Sequence, residues 1–157
     1  EKPKEVVKAK EIVKEIKNPA VNANGLKISK KYSMSICDMI RGKTTEKALE
    51  MLEEVLLFRR PVKMNNREIP HKHGKGMMAG RYPMTACREF IRLIKQLNSN
   101  AIVNEFPIEE GVIFCKANQG SRPYRRGGTR GKRTNITLIL MPKPLKKKLN
   151  KEKRKKK

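Results

Sequence analysis

Tryptophan is absent, and aromatic residues make up only 4% of the 157 residues. No aromatic pair of the kind that RNA-recognition motifs use to stack bases is present. Cysteine is scarce and odd in number, with Cys37, Cys87 and Cys115 far apart in the chain. They make neither a disulfide framework nor a metal-ligand cluster, and their apolar neighbours mark them as small core residues, which points to a reducing intracellular home. Acids are few: 15 Asp and Glu stand against 39 Lys and Arg, for a formal net charge of +24. That much like charge opposes compaction unless an anion neutralises it, and the candidates are nucleic acid, an acidic membrane face or an acidic protein. Hydrophobic residues reach 37%, which is low for a globular domain. No apolar run approaches the ~20 residues that cross a bilayer. The opening residues "EKPKEVVKAKEIVKEIKNP" carry no signal-peptide pattern.

The charge is unevenly spread. Residues 116–157 hold 17 basic residues and one acid, Glu152, and so carry +16 of the +24, whereas residues 1–115 carry +8. A mildly basic body therefore precedes a very basic C-terminal part. In the body, Val6, Ala9, Val13 and Ile16 recur at helical spacing, and Asn18-Pro19 ends that helix. "NANGLKISKKY" reads as a turn and a short strand. Ser29 is placed to cap a helix over 33–41 whose inner face is Ile36, Cys37 and Ile40, with Gly42 as its stop. Thr44 or Thr45 caps a second helix striped by Ala48, Leu49, Leu52, Val55 and Leu56. Residues 61–82 hold many punctuators and few large apolar side chains, the pattern of an ordered loop or insertion. Pro83 suits the first turn of a third helix. Its stripe of Ala86, Cys87, Phe90, Ile91, Ile94 and Leu97 is wide enough for a central core helix ending near Asn98, with an extension past Ile102 left open.

After Gly111 the period changes from helical to alternating. "VIFCKANQ" and "TNITLILM" are β-branched and aromatic runs of strand length, and the glycine-bearing segment between them makes an antiparallel hairpin. The expected fold class is α+β: three helices packed on a small antiparallel sheet, with a long projecting hairpin at about 112–141 and a disordered basic tail over 142–157. Counted from residue 112 to 127 at strand rise, each hairpin arm would span roughly 50 Å.

That segment, 118–134, contains no large aliphatic residue, and only Pro123 and Tyr124 offer packing surface. It cannot offset its ordering entropy by burial. A mobile charged loop is one reading. Against it, the segment is rich in Arg, whose planar fork binds phosphate bidentately and stacks on bases, while the tail is rich in Lys. Gly127, Gly128 and Gly131 allow close backbone approach, and Tyr124 among arginines can stack on an unpaired base. Together these features point to nucleic acid.

No catalytic or metal constellation rises beside it. His71 and His73 lack a third ligand, Glu109 and Glu110 lack a partner for acid–base work, and "GKTT" lacks the upstream glycine and strand of a phosphate-binding loop. Neither a cofactor nor an enzymatic activity is expected.

Three motifs occur in order: "GLKISKKYSMSICDMIRGKTTEKALEML", "AGRYPMTACREFIRLIKQLNSNA" and "KANQGSRPYRRGGTRGKRTNITLIL". Over residues 22–141 the chain resembles large-subunit ribosomal protein family twenty-two, numbered seventeen in eukaryotic ribosomes. The "HKHGKGMMAGRYP" insertion resembles that of the archaeal and eukaryotic branch. The resemblance implies a structural constituent of the cytoplasmic large ribosomal subunit, not an enzyme. Its partners would be large-subunit rRNA, neighbouring ribosomal proteins and, near the hairpin tip, the nascent peptide in the exit tunnel, with no direct membrane contact. It implies rRNA contacts at Lys30, Lys31, Arg41 and Lys43, and at Arg122, Tyr124, Arg125, Arg126, Thr129, Arg130, Lys132 and Arg133. The tip over 127–135 is a few residues shorter than the bacterial pattern. Residues 1–21, an N-terminal helical extension, and the tail lie outside the resemblance. The competing expectation is a free DNA- or RNA-compacting protein, which needs the charge but no rigid hairpin.

Overall fold

A computed structural model of the chain describes residues 18–64, 77, 79–109 and 111–143. The N-terminal helix, His71 and His73, Glu110 and the tail from residue 144 on lie outside the described residues. The elements run β1 (Ala20–Leu26), α1 (Lys30–Ile40), α2 (Thr45–Leu56), β2 (Val62–Lys63), β3 (Gly80–Arg81), α3 (Met84–Val103), β4 (Gly111–Gln119) and β5 (Thr134–Pro142). Three helices and an antiparallel sheet of three strands bear out the α+β expectation.

β5 is the central strand, in the order β1-β5-β4. Its alternation explains why. Thr134, Ile136, Leu138 and Leu140 are buried, while Asn135, Thr137, Ile139 and Met141 are half-buried on the other face. One sheet face is thus covered by helices and the other stays open. Ile113 and Cys115 of β4 and Val21 of β1 extend the covered face. α1 lies against β4, α3 against β1 and β5, and α2 against α3. Phe90, Ile94 and Leu97 of α3, Ile36 and Ile40 of α1, and Leu52 of α2 meet that face in one core. Each such side chain contributes roughly 1.5–3 kcal/mol by leaving water.

Several boundaries differ from the sequence expectation. "NANGL" is not a turn before a strand but part of β1 itself. Gly25, at φ 69°, sits in a bulge where the β1–β5 register shifts between Ala23 and Leu26. Asn135 Oδ1 accepts the Gly25 N–H at 2.8 Å, so the glycine signal marks a bulge held by a side chain of the partner strand. α1 begins at Lys30, three residues earlier than its apolar stripe indicates. Ser29 is its N-cap as expected, but the Ser29 side chain makes no cap bond. Gly42, at φ 73°, stops α1. The chain then bonds to β4: the Gly42 N–H donates to Ile113 O and the Ile113 N–H donates to Lys43 O, both at 2.9 Å. α3 runs beyond Asn98 to Val103, taking up the extension past Ile102 that the sequence left open. β2 and β3 pair to close the base of the insertion.

The cysteines depart furthest from expectation. Cys37 of α1 and Cys115 of β4, 78 residues apart, are paired as a disulfide across the α1–β4 contact. No spacing rule links two single cysteines on different elements. Cys87 is a free, buried thiol. Burial pushes it from its usual 9.0 up to about 12, so it stays protonated and inert.

Candidate nucleic-acid interface

The β4–β5 ladder runs in unbroken register from Gly111↔Pro142 to Gln119↔Thr134. These nine-residue strands lie in the body's sheet, so the free part of the hairpin starts near Gly120. About seven residues per arm at strand rise give a projection of roughly 24 Å, half the expected reach. The hairpin does not dissolve into a loop there. The Gly120 N–H donates to Arg133 O at 3.0 Å, the Gly131 N–H to Pro123 O at 2.9 Å and the Arg125 N–H to Thr129 O at 2.8 Å. A single 3₁₀ turn, Arg126–Gly128, closes the end, with Gly127 and Gly128 both at positive φ. Two successive left-handed residues are cheap only for glycine. The segment is therefore not the mobile loop weighed above: backbone bonds supply the order that burial cannot.

Every residue from Ser121 to Arg130 is exposed, with Tyr124 at 71%. Arg130 stacks over the Tyr124 ring at 4.6 Å and its Nη2 donates to the Tyr124 hydroxyl. One ring face is thereby occupied by a guanidinium. Thr129 Oγ1 donates to Arg126 O at 3.4 Å and tightens the turn. Arg125 and Arg126 complete the cationic tip. From residue 111 to 143 the sequence contains no acid, so no acid of the hairpin neutralises these charges.

The remaining expected contacts fall in two places. Lys30 and Lys31, in the first turn of α1, line a concave pocket with Arg122, Lys132 and Arg133 of the hairpin. That first turn has no acid, and the positive end of the helix adds to the field. Arg81 lines the same pocket. Its Nη1 donates to the Tyr32 hydroxyl at 2.8 Å, and its guanidinium lies 6.0 Å from that ring's centroid. Sequence reading missed Arg81; "AGRYP" carries a lone Arg whose importance depends on β3 placing it beside α1. Arg41 and Lys43 do not join this group. Arg41 Nη2 donates to Cys115 O at 3.0 Å, its Nη1 lies 3.5 Å from Asp38, and its guanidinium sits over Phe114 at 5.9 Å. It works as a clasp between α1 and β4. Lys43 lines a mixed-charge hollow with Lys47, Glu50, Glu54 and Arg60.

Among the described residues no group of His, Cys, Asp or Glu could hold a metal ion, and no helix is long and apolar enough to cross a membrane. What the fold and the site define is a basic α+β protein that offers a preformed cationic hairpin and a cationic hollow at its root. No family model matches the chain. Curated relatives do, and all three described here bear the name large ribosomal subunit protein uL22. That of Methanococcoides burtonii is 38% identical over 125 residues, covering 73% of this chain and 83% of the relative. That of Methanothrix thermoacetophila is 35% identical over 103 residues, covering 64% and 68%. That of Methanococcus vannielii is 39% identical over 79 residues, covering 48% and 52%, so the chain spans about half the length of that relative. The chain belongs to the uL22 family, in its archaeal-type branch. This is a family of structural proteins of the large ribosomal subunit, a cytoplasmic particle, and not of enzymes.

Proposed function

We propose that the chain works by binding large-subunit rRNA through the hairpin and the α1 end of the body, and that the hairpin tip lines part of the nascent-peptide exit tunnel. The carrying observation is the run from Ser121 to Arg130: wholly exposed, free of acids, and held in one shape by its own backbone bonds. Phosphate contacts from Lys30, Lys31, Arg122, Arg125, Arg126, Arg130, Lys132 and Arg133 would position the protein, since such contacts fix register without reading sequence. Tyr124, stacked on Arg130 from one side, would offer the rest of its ring to an unpaired base. Thr129 would meet RNA at the turn. Arg41 and Lys43 would contact RNA at the edge of the body, Arg41 only with the part of its guanidinium left over from Cys115 and Asp38. Residues 22–141 would form the ribosomal domain, with neighbouring ribosomal proteins and the nascent peptide as further partners.

The test is removal of residues 122–133 with a short turn joining the arms. The body should keep its helical circular dichroism, because none of the buried core residues lies in the deleted span. Incorporation into large subunits, followed by sedimentation in moderate salt, should fall sharply. A deletion variant that co-sediments with large subunits as well as the native chain would refute the proposal.

A further inference from the structure

Six cations from separate parts of the fold converge where the hairpin leaves the body: Lys30 and Lys31 from α1, Arg81 from β3, and Arg122, Lys132 and Arg133 from the two hairpin arms. They surround a pocket of about 630 Å³, and no acid among the described residues lines it. A concave space concentrates the field of such charges. Arg133 sharpens the point. Its Nη1 is buried and finds no hydrogen-bond partner among the described residues. Buried donors in native structures are nearly always satisfied, so an orphan beside a cationic hollow calls for an acceptor from outside the described residues. Arg81 is held in place by the Tyr32 hydroxyl and ring. The backbone N–H groups at the start of α1 have no side-chain cap.

We infer that this pocket is a phosphate clamp, in which an RNA phosphodiester is gripped between the start of α1 and the root of the hairpin. The inference rests on the rRNA-binding reading and extends it. The volume is in the range of small-ligand sites and exceeds what one phosphate fills, so the attached sugar enters as well, against Tyr32 and Met34. Because the lining comes from both body and hairpin, a phosphate seated there ties the two together.

Two triple variants of the full chain, equal in charge lost, test this. K30Q/R122Q/K132Q removes exposed cations of the pocket and leaves Arg133 to keep the fold intact. R88Q/R92Q/K95Q removes exposed cations of α3, which lines no part of the pocket. Affinity for a large-subunit rRNA transcript is measured against salt, and the melting temperature against inorganic phosphate. The clamp requires the pocket triple to lose at least about tenfold more affinity than the α3 triple, as cations converging on one phosphate outweigh the same number spread along a helix. It also requires phosphate to raise the melting temperature of the native chain saturably and not that of the pocket triple. Equal losses from the two triples would reduce the pocket to ordinary surface charge and overturn the clamp. If the native chain itself fails to bind the transcript, the rRNA reading falls, and the phosphate arm decides the pocket alone. A saturable, pocket-dependent rise would then keep an anion site for free phosphate, and its absence would remove the site.

Discussion

Gly111, at the start of β4, offers a test of how the hairpin is rooted. A Cβ at this position would lie 2.7 Å from Leu140 Cγ, 2.8 Å from its Cδ1 and 2.9 Å from its Cδ2. Carbon atoms in good contact are ~3.5–4.0 Å apart, so the overlap is close to an ångström. Leu140 has no accessible surface and cannot swing into solvent to relieve it. Gly111→Ala should therefore cost about 1–3 kcal/mol as overpacking. Against this stands a gain of roughly 0.4–1 kcal/mol from a stiffer unfolded chain, available because the Gly111 φ lies outside the left-handed region. The net loss expected is up to about 2.5 kcal/mol, with a central value of about 1.3 kcal/mol. Leu140→Ala alone leaves a cavity and should cost about 2–5 kcal/mol. In that background the clashing atoms are gone, and Gly111→Ala should become neutral or stabilising by a few tenths up to about 1 kcal/mol. The coupling in the double-mutant cycle is then about 2 kcal/mol, within the usual range for touching residues. Urea denaturation of the four proteins measures it. If Gly111→Ala destabilises equally in both backgrounds, the glycine is required for backbone reasons and the packing argument is wrong.

Thiol counting checks the cysteine assignments. Without reductant, the folded chain should not react with iodoacetamide, the urea-unfolded chain should take one label on Cys87, and reductant before unfolding should raise the count to three; three labels without reductant would refute the Cys37–Cys115 bond. A link across 78 residues should stabilise the chain by up to about 4–5 kcal/mol on the loop-entropy account, so reductant should lower the urea midpoint accordingly. Because burial raises the Cys87 pKa, folding disfavours its thiolate. Its contribution is fully present below about pH 9 and is lost as pH climbs toward 12, so the native chain should lose stability faster than Cys87→Ala above pH 9. At the bulge, Asn135→Ala removes the acceptor of the Gly25 N–H and should cost about 0.5–1.5 kcal/mol, while Asn135→Asp, which keeps an acceptor, should cost less.

What could be read in the chain was whatever depends on near neighbours. The stripes of Ala48, Leu52 and Val55 and of Phe90, Ile94 and Leu97 lie one helical turn apart, so the sequence alone places α2 and α3, and these residues are buried as expected. The same holds for Ile136, Leu138 and Leu140, which alternate along β5. Failures cluster where a distant element decides. Asn24-Gly25 carries a local turn signal, yet pairing with Asn135, 110 residues away, turns it into a bulge. Cys37 and Cys115 meet only because α1 packs on β4. Arg41 looks like any surface cation until Cys115 O and Phe114 surround it. Arg81 gains its place from β3, a strand of two residues that carries no periodicity to detect.

The tip shows how charge and order can be separated. An exposed cationic loop is usually mobile, because nothing buried offsets the entropy of fixing it. Here the cross-arm bonds at Gly120, Gly131 and Arg125, the paired left-handed glycines and the Tyr124–Arg130 stack fix its shape without burial. An anionic partner would then have little ordering left to impose, and more of its electrostatic attraction would appear as affinity. The opposing force is repulsion among Arg122, Arg125, Arg126 and Arg130, which no acid of the hairpin relieves. Raising the salt concentration would screen that repulsion in the free chain and weaken the grip on a phosphate backbone, so the hairpin's own order and its partner binding should respond to salt in opposite directions. A flexible basic tail has no such shape to preserve and would show only the second response, which separates a shaped RNA-docking hairpin from a generic compacting charge.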